Sequence, residues 1–279
     1  MDLEQMRKEL EALRNGGSRR DQKSSSEGDV RYWRPTPGEH QIRFINLQDT
    51  NPNVTHGPIK EWHWHYRVGA DGSDRGKTFL CNKRSFNEEC PICELASSMW
   101  QAQEEFEKEG TPRPDLRQAA INMFAKNRYY ANVLVRGEEE KGVQVYSFGK
   151  RVAQAAYEVF LDQDYNGKFL DVNDGFDFKI KYELEDPTDK RSAKTIIRPS
   201  AKPSPLADTA EEIEDIMSTA YDLDEIYTPS ELTDIIAALD KYQSDDFEDL
   251  GVEKYQESAE TAPADINPAL AAAMAKLQG

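Results

Sequence analysis

The sequence is poor in the residues that disulfides, metal sites and acid–base chemistry need, with three cysteines and four histidines among 279 residues. It has no apolar run near the roughly 20 residues of a membrane span. Its opening residues, MDLEQMRKEL, lack the apolar segment of a secretion signal. An odd number of cysteines without such a signal argues against structural disulfides. We therefore expect a soluble protein of the cytoplasm.

Common catalytic motifs are absent as well. No GxxxxGK[ST], GxGxxG or GxSxG pattern occurs, which removes the usual signatures of P-loop, dinucleotide-binding and α/β-hydrolase proteins. Three of the four histidines fall within residues 56–65, so little imidazole is left for general acid–base chemistry. We expect that the protein is not an enzyme.

The net charge of −17 is strongly negative but unevenly distributed. Residues 206–243 carry −10 and residues 244–279 carry −6, whereas residues 29–205 carry only −1. A pI near 4.8 normally counts against nucleic-acid binding. Because the acid lies at one end, the central part of the chain is still able to bind an anionic ligand.

The chain divides by composition into three predicted segments. Residues 1–28 form an N-terminal arm, residues 29–243 a core, and residues 244–279 an acidic tail that is too poor in apolar residues to fold alone. The arm places apolar residues at helical spacing: Leu3, Met6, Leu10 and Leu13. It is either a solvated helix or an arm that docks on a neighbouring molecule. The tail closes with the alanine-rich stretch NPALAAAMAKLQG.

Alternating apolar and polar residues predict a mainly β core with α additions. The predicted strands are 39–47, 59–68, 129–136, 142–148 and 176–184, with a shorter one near 194–198. A helix is predicted at 150–162, and two acidic amphipathic helices at 211–220 and 229–242. Short strands joined by hairpins, with one inserted helix, favour an OB-fold barrel.

All three cysteines lie in one stretch, CNKRSFNEECPIC, residues 81–93. The Cys90–x2–Cys93 pair is typical of a tetrahedral zinc site, and Cys81 supplies a third thiolate. His63 and His65 share a face of the strand 59–68, and His65 lies nearer the turn that returns to Cys81. We predict His65 as the fourth ligand, with His63 and the more distant His56 as alternatives.

A site with four protein ligands is structural and not catalytic, so one zinc ion would stabilise a subdomain at about residues 60–100. Two other readings exist for these cysteines. They could be inert, or Cys90 and Cys93 could form a redox motif. The redox motif is disfavoured because the pair follows the polar loop NKRSFNEE and not a strand, and because it leaves Cys81 without a role.

Aromatic and basic side chains occur together along the predicted strands. Bases of single-stranded nucleic acids stack on aromatic rings while Lys and Arg contact the phosphates. The candidate DNA contacts are Tyr66, Arg67, Lys126, Arg128, Tyr129, Tyr130, Tyr146, Lys150, Arg151, Lys179, Lys181 and Tyr182. Because neighbouring strand residues face opposite sides, we expect one of Tyr129 and Tyr130 to be exposed. Other rings, above all Phe148, Phe176 and Phe178, are expected in the core.

Three stretches resemble the single-stranded DNA-binding (helix-destabilising) proteins of T-even bacteriophages: YYANVLV, VYSFGKR followed by a helix, and the His–Cys–Cys-x2-Cys segment. The resemblance covers roughly residues 1–250. It implies an OB-fold with a zinc subdomain, in which His65, Cys81, Cys90 and Cys93 hold the metal. It also implies a DNA groove lined by Arg128, Tyr129, Tyr130 and Tyr146 with nearby lysines.

The same resemblance implies a coat for single-stranded DNA in phage replication, recombination and repair, in the cytoplasm of the host cell. Molecules of the family associate cooperatively through the N-terminal arm. The acidic tail recruits replication and recombination proteins. The alternative function for this set of features is a zinc-stabilised OB-fold adaptor that binds proteins and not DNA.

Overall fold

The computed structural model describes residues 6, 7, 11, 30–49, 51, 53–70, 75–165, 167–186, 188 and 192–246. Most of the predicted arm, and the predicted tail beyond residue 246, lie outside these residues. The described chain forms two compact units. The first contains residues 30–61 and 127–228, and the second contains residues 62–126 and 229–246. The predicted boundaries between arm, core and tail stay a prediction.

The described chain contains groups of strands separated by groups of helices. The strands are β1 (Tyr32–Trp33), β2 (Gly38–Ile45), β3 (Lys60–Val68), β4 (Lys77–Leu80), β5 (Lys126–Val135), β6 (Gln144–Phe148), β7 (Phe178–Leu184) and β8 (Ala193–Pro199). The helices are α1 (Asn82–Phe86), α2 (Pro91–Lys108), α3 (Pro114–Met123), α4 (Lys150–Phe160), α5 (Ala210–Ser218) and α6 (Leu232–Asp246). The longer strands and α4 lie within a few residues of the predicted elements.

The first unit is built on a sheet with the strand order β1-β6-β5-β2-β7-β8. The central pairs are antiparallel, and Ile42 of β2 lies opposite Val135 on one side and Phe178 on the other. Successive residues of β7 point to opposite faces of the sheet: Phe178 and Ile180 are buried, whereas Lys179 and Lys181 are exposed. At β7, one face of the sheet therefore carries the core and the other carries charge.

An aromatic cluster forms the core of the first unit. The rings of Phe44, Phe160 and Phe178 pack edge to face, with centroids 5.2 to 5.9 Å apart. The amphipathic helix α4 contributes Phe160, and Met6 from the predicted arm is buried in the same cluster. Phe148 and Phe178 are core residues, as expected, and Phe176 packs partly buried against them.

A buried charge network joins β2, β5 and the start of β7. Arg43, only 1% exposed, donates from Nε to Asp177 Oδ1 at 2.7 Å, and Arg136 Nε lies 3.0 Å from Asp177 Oδ2. Burial alone would raise the pKa of Asp177, but hydrogen bonds from Arg136 and the charge of Arg43 lower it. Asp177 is therefore ionised in the native protein and accepts hydrogen bonds from two guanidinium groups.

The second unit combines the β3–β4 hairpin with helices α1, α2, α3 and α6. Helix α2 begins with Pro91 in its first turn, a position that suits proline because the N–H there has no helical partner. Its apolar stripe packs against α3 and α6 through Ile92, Leu95, Met99, Leu116, Met123, Ile235 and Leu239. The two C-terminal helices bury apolar side chains, as predicted. Ile235 and Leu239 of α6 are buried in the second unit, and Met217 of α5 is buried in the first.

The fold is thus a sheet-dominated one with several helices, as expected. Among the described strands, β6 pairs with β1 and β5, and β8 pairs with β7. These pairings do not join the two ends of the sheet, so closure into an OB barrel stays a prediction. None of the helices described combines the length and the apolar character needed to cross a membrane.

Candidate metal centre and nucleic-acid interface

Four side chains of the second unit converge on one point: His65, Cys81, Cys90 and Cys93. The Cys81 and Cys93 sulfurs are 3.4 Å apart, and His65 Nε2 lies 3.4 Å from Cys90 Sγ and 3.6 Å from Cys93 Sγ. All four residues are buried. This cluster is able to hold a metal ion.

Local structure brings these residues together. Strand β3 carries His65, and β4 runs back beside it and delivers Cys81, whose backbone N–H donates to His63 O at 2.8 Å. Cys81 then caps α1, and Cys90 occupies the N-cap position of α2, so that Cys93 falls in the first turn of α2. The ligands therefore tie a hairpin to the starts of two helices.

Further hydrogen bonds orient the cluster. His65 Nδ1–H donates to Met123 O at 2.7 Å, which turns Nε2 toward the sulfurs. The backbone N–H of Arg84 lies 3.4 Å from Cys81 Sγ and donates to it. Hydrogen bonds from Cys81 and Cys93 lower the pKa of Cys90, against the effect of burial. These hydrogen bonds thus favour the thiolate of Cys90, the form that binds a metal.

The donor set fits zinc. Three soft thiolates and one imidazole are the ligands of tetrahedral structural zinc sites, and they fill all four positions. The structure places His65, and not His63, against the sulfurs. His56 lies in the first unit, where Nδ1–H donates to Gly57 O and Nε2 accepts from Leu223 N–H at 2.9 Å. Both of its ring nitrogens are therefore engaged elsewhere.

The predicted DNA contacts of the first unit include a basic group on β5 and α4. Arg128 is half-buried and donates from Nε to Ser147 Oγ at 2.7 Å and from Nη2 to Ser147 O at 2.9 Å. Lys150 and Arg151 open α4, whose cap residue Gly149 offers no side-chain bond and whose first turn holds no acid. Cations at the positive end of a helix repel its dipole and favour an anionic ligand.

Three of the predicted stacking residues are inside the protein. Tyr129, Tyr130 and Tyr146 are 3%, 4% and 3% exposed, so the prediction that one of Tyr129 and Tyr130 is exposed is wrong. The sheet is covered on both faces at this point. Tyr129 and Tyr146 join the aromatic core, while the ring of Tyr227 packs against that of Tyr130 at 5.5 Å.

A second basic group lies on the charged face of β7. Lys179 and Lys181 are exposed there, and Tyr182 is half-buried on the opposite face. Arg198 of β8 lies directly opposite Lys179 and is also exposed, so it belongs to the same face. Arg198 is not among the residues predicted to contact DNA. Residues 193–199 give little signal for its face, because Ile196 and Ile197 are adjacent and the apolar and polar residues do not alternate.

The remaining predicted contacts belong to the second unit. Tyr66 is half-buried, and Arg67 is exposed at a bulge of β3, where its φ of 60° lies in the left-handed region. Lys126, at the start of β5, is half-buried and donates from Nζ to Ile121 O at 2.6 Å. Of these basic residues, Lys126 is held by a side-chain hydrogen bond.

Comparison with known proteins identifies the family. The family model described as gp32 DNA binding protein like matches residues 37–244, which include the four metal-centre residues and every predicted DNA contact. No curated protein matches the chain. The family match confirms the resemblance and supports a single-stranded DNA-binding role. Because the matched range covers most of the chain, this protein belongs to the gp32-like DNA-binding protein family.

Proposed function

We propose that this protein coats single-stranded DNA, without sequence preference, during phage replication, recombination and repair. The family match over residues 37–244 carries the proposal. The exposed side chains of Arg151, Lys179 and Lys181 support it, because a DNA-binding surface needs cations that solvent can reach. The proposal includes no catalytic step.

Phosphate contacts are the main source of affinity in this proposal. Arg67, Arg151, Lys179 and Lys181 are exposed. Arg128 is held in place by Ser147, so it loses less side-chain freedom when it binds a phosphate. The buried rings of Tyr129, Tyr130 and Tyr146 then support the sheet, and base stacking falls to partly exposed rings such as Tyr66 and Tyr182.

One structural zinc ion completes the proposed protein, held by His65, Cys81, Cys90 and Cys93. Bound zinc supplies strong bonds to thiolate and imidazole, and in small sites this energy drives folding. In this chain it would fix β3 to the starts of α1 and α2. The proposal also includes the OB barrel and a zinc subdomain at about residues 60–100.

We also propose roles for the two ends of the chain, most of which lie outside the described residues. The N-terminal arm, residues 1–28, would join neighbouring molecules along the strand. The tail, residues 244–279 with a net charge of −6, would recruit replication and recombination proteins. As a tethered polyanion it would also compete with DNA for the basic surface.

A titration with labelled oligonucleotides at two salt concentrations tests the proposal. We expect tight binding to oligothymidine, weaker binding to a duplex of equal length, and a steep loss of affinity with added salt. Fluorescence anisotropy measures all three. An adaptor that binds only proteins would leave the anisotropy of both probes unchanged.

A further inference from the structure

A buried asparagine joins the metal-centre hairpin to the C-terminal segment of the second unit. Asn82 follows Cys81 directly and is 2% exposed. Its Nδ2 donates to Ser230 O at 2.8 Å, and its Oδ1 accepts from the backbone N–H of Ser230 at 2.8 Å. Both ends of one amide group are thus used on a single residue, which lies 148 positions further along the chain.

The same serine makes a contact on the other side of Cys81. Ser230 Oγ–H donates to Leu80 O at 3.1 Å. The residues before and after a metal-centre cysteine therefore both hold Ser230, which comes just before α6 (Leu232–Asp246). The next residue, Glu231, accepts through its carbonyl oxygen from the backbone N–H groups of residues 234 and 235 and so begins the first turn of α6. Asn82 and Leu80 thus fix the start of this helix.

Apolar packing holds the rest of α6 on the same part of the unit. Ile235, Ala238 and Leu239 are buried in one cluster with the three cysteines. Gly69, in the turn after β3, lies so close to α6 that a Cβ there would stand 2.5 Å from Ala238 O. The backbones of the hairpin and of the helix therefore meet without room for a side chain. The start and the buried face of α6 both rest on structure that surrounds the metal centre.

Helix α1 links the metal centre to Ser230. It has five residues, and Asn82 is the only one of them that is buried. A helix of one turn is not stable alone, because nucleation of a helix is unfavourable. The start of α1 is fixed by Cys81 Sγ, which accepts from the backbone N–H of Arg84 at 3.4 Å. Because Cys81 is also a ligand of the proposed metal site, a metal that fixes Cys81 fixes Asn82 opposite Ser230.

We propose that the metal centre anchors α6 through Asn82 and Ser230, so that loss of the metal loosens the C-terminal helix. The inference rests on the zinc ion of the proposed function. Asn82 and Ser230 are positioning residues in it, since neither is a metal ligand. The predicted tail begins at residue 244, within α6, so the same contacts determine where the acidic tail leaves the fold.

Hydrogen exchange of the full zinc-loaded chain tests the anchor. Asn82→Ala removes both hydrogen bonds of the buried amide, so exchange of the backbone amides of residues 235–239 should become roughly 10-fold faster. Asn122→Ala, the matched control, changes an exposed asparagine of α3 that accepts from Gln118, and should leave this rate unchanged. Helix α5 of the first unit is the internal reference. Elemental analysis should find one zinc per chain in both variants, since all four ligands remain.

A second variant leaves the surroundings of Cys81 intact. Ser230→Ala removes only the bond to Leu80 O, and exchange of α6 should become about 3-fold faster, the effect of one hydrogen bond. If both Asn82→Ala and Ser230→Ala left α6 exchange at the parent rate, the anchor would be overturned.

Removal of the metal tests the link between the anchor and the metal centre. In the parent chain with chelator, exchange of α6 should become faster while exchange of α5 keeps its metal-loaded rate. Because coupling between two sites is reciprocal, Asn82→Ala should also weaken zinc binding, by up to the factor by which the chelator speeds α6 exchange. Competition with the chelator measures that affinity. Equal α6 exchange in the loaded and the chelated parent chain would overturn the link.

Failure of the inference is distinguishable from failure of the proposed function. A parent chain that takes up no zinc would overturn the proposed metal site and the inference with it. A zinc-loaded parent chain that binds no oligothymidine would overturn the proposed DNA coat and leave the anchor standing.

Discussion

Replacing Cys90 with serine removes one corner of the metal centre. Cys90 is fully buried, and its Sγ lies 3.4 Å from His65 Nε2. If free zinc exceeds its dissociation constant roughly 1,000-fold, bound metal contributes about 4 kcal/mol to stability. Because α2, α3 and α6 also pack through apolar side chains that are not metal ligands, we expect partial destabilisation and not the unfolding seen in isolated zinc fingers.

For a chain of this size, that loss corresponds to a Tm lower by about 10 °C. Circular dichroism of metal-loaded parent chain, Cys90→Ser, and parent chain with chelator would show it, together with elemental analysis of zinc. Met99→Leu is the matched control, since Met99 is buried on the same helix and the swap conserves volume. A Cys90→Ser protein that retains one zinc, or a parent chain whose Tm the chelator leaves unchanged, would refute the reasoning.

Three further predictions concern the charge network, the covered tyrosine and the tail. Asp177→Asn leaves Arg43 buried without its carboxylate, and urea unfolding near neutral pH should show a loss of about 3–5 kcal/mol. Folding lowers the pKa of Asp177, so this carboxylate stabilises the native protein above its unfolded-state pKa, near 3.9, and the stabilisation is lost as the pH falls through the native pKa. The free energy of unfolding of Asp177→Asn should therefore fall less steeply at acidic pH than that of the parent chain. Tyr130→Phe should keep its oligothymidine affinity within about two-fold, since the ring lies under Tyr227; a large loss would contradict a purely structural role. Deleting the tail, residues 244–279, should raise affinity and steepen the salt dependence, and equal salt slopes would exclude competition by the tail.

The metal centre could be read from the sequence because its determinants are local. The spacing of Cys81, Cys90 and Cys93 brings three sulfurs within reach of one another through a single hairpin and two short helix starts. Strand alternation then left His63 and His65 on one face, and proximity to the turn favoured His65. The structure agrees with that order of preference, since His65 meets the sulfurs.

The tyrosines could not be placed from the sequence for the opposite reason. Alternation states that Tyr129 and Tyr130 face opposite sides, but not that one side is solvent. Tyr130 is covered by Tyr227, which is distant in sequence, and the hydroxyl of Tyr227 accepts from Tyr32 at 2.9 Å. Nothing in the residues around position 130 indicates that cover.

The sequence contains signals for the helical hairpin α2–α3, although no helix is predicted there. Ile92, Leu95 and Met99 recur at helical spacing, and proline opens both helices. The pattern is diluted by the polar surface of α2, where runs such as QAQEEFEK resemble a solvated linker. The hairpin matters for the site, because the end of α3 supplies the carbonyl group that orients His65.

The burial of three tyrosines changes what holds the DNA. Base stacking contributes roughly 1–3 kcal/mol per exposed ring and responds little to salt, whereas each phosphate contact adds to the salt slope. Exposed cations such as Arg67, Arg151 and Lys179 remain available, while these rings are not. Affinity should then come mainly from charge, which is also the condition under which an acidic tail competes best. The unequal distribution of charge along the chain and the covered sheet therefore point to the same electrostatic mechanism.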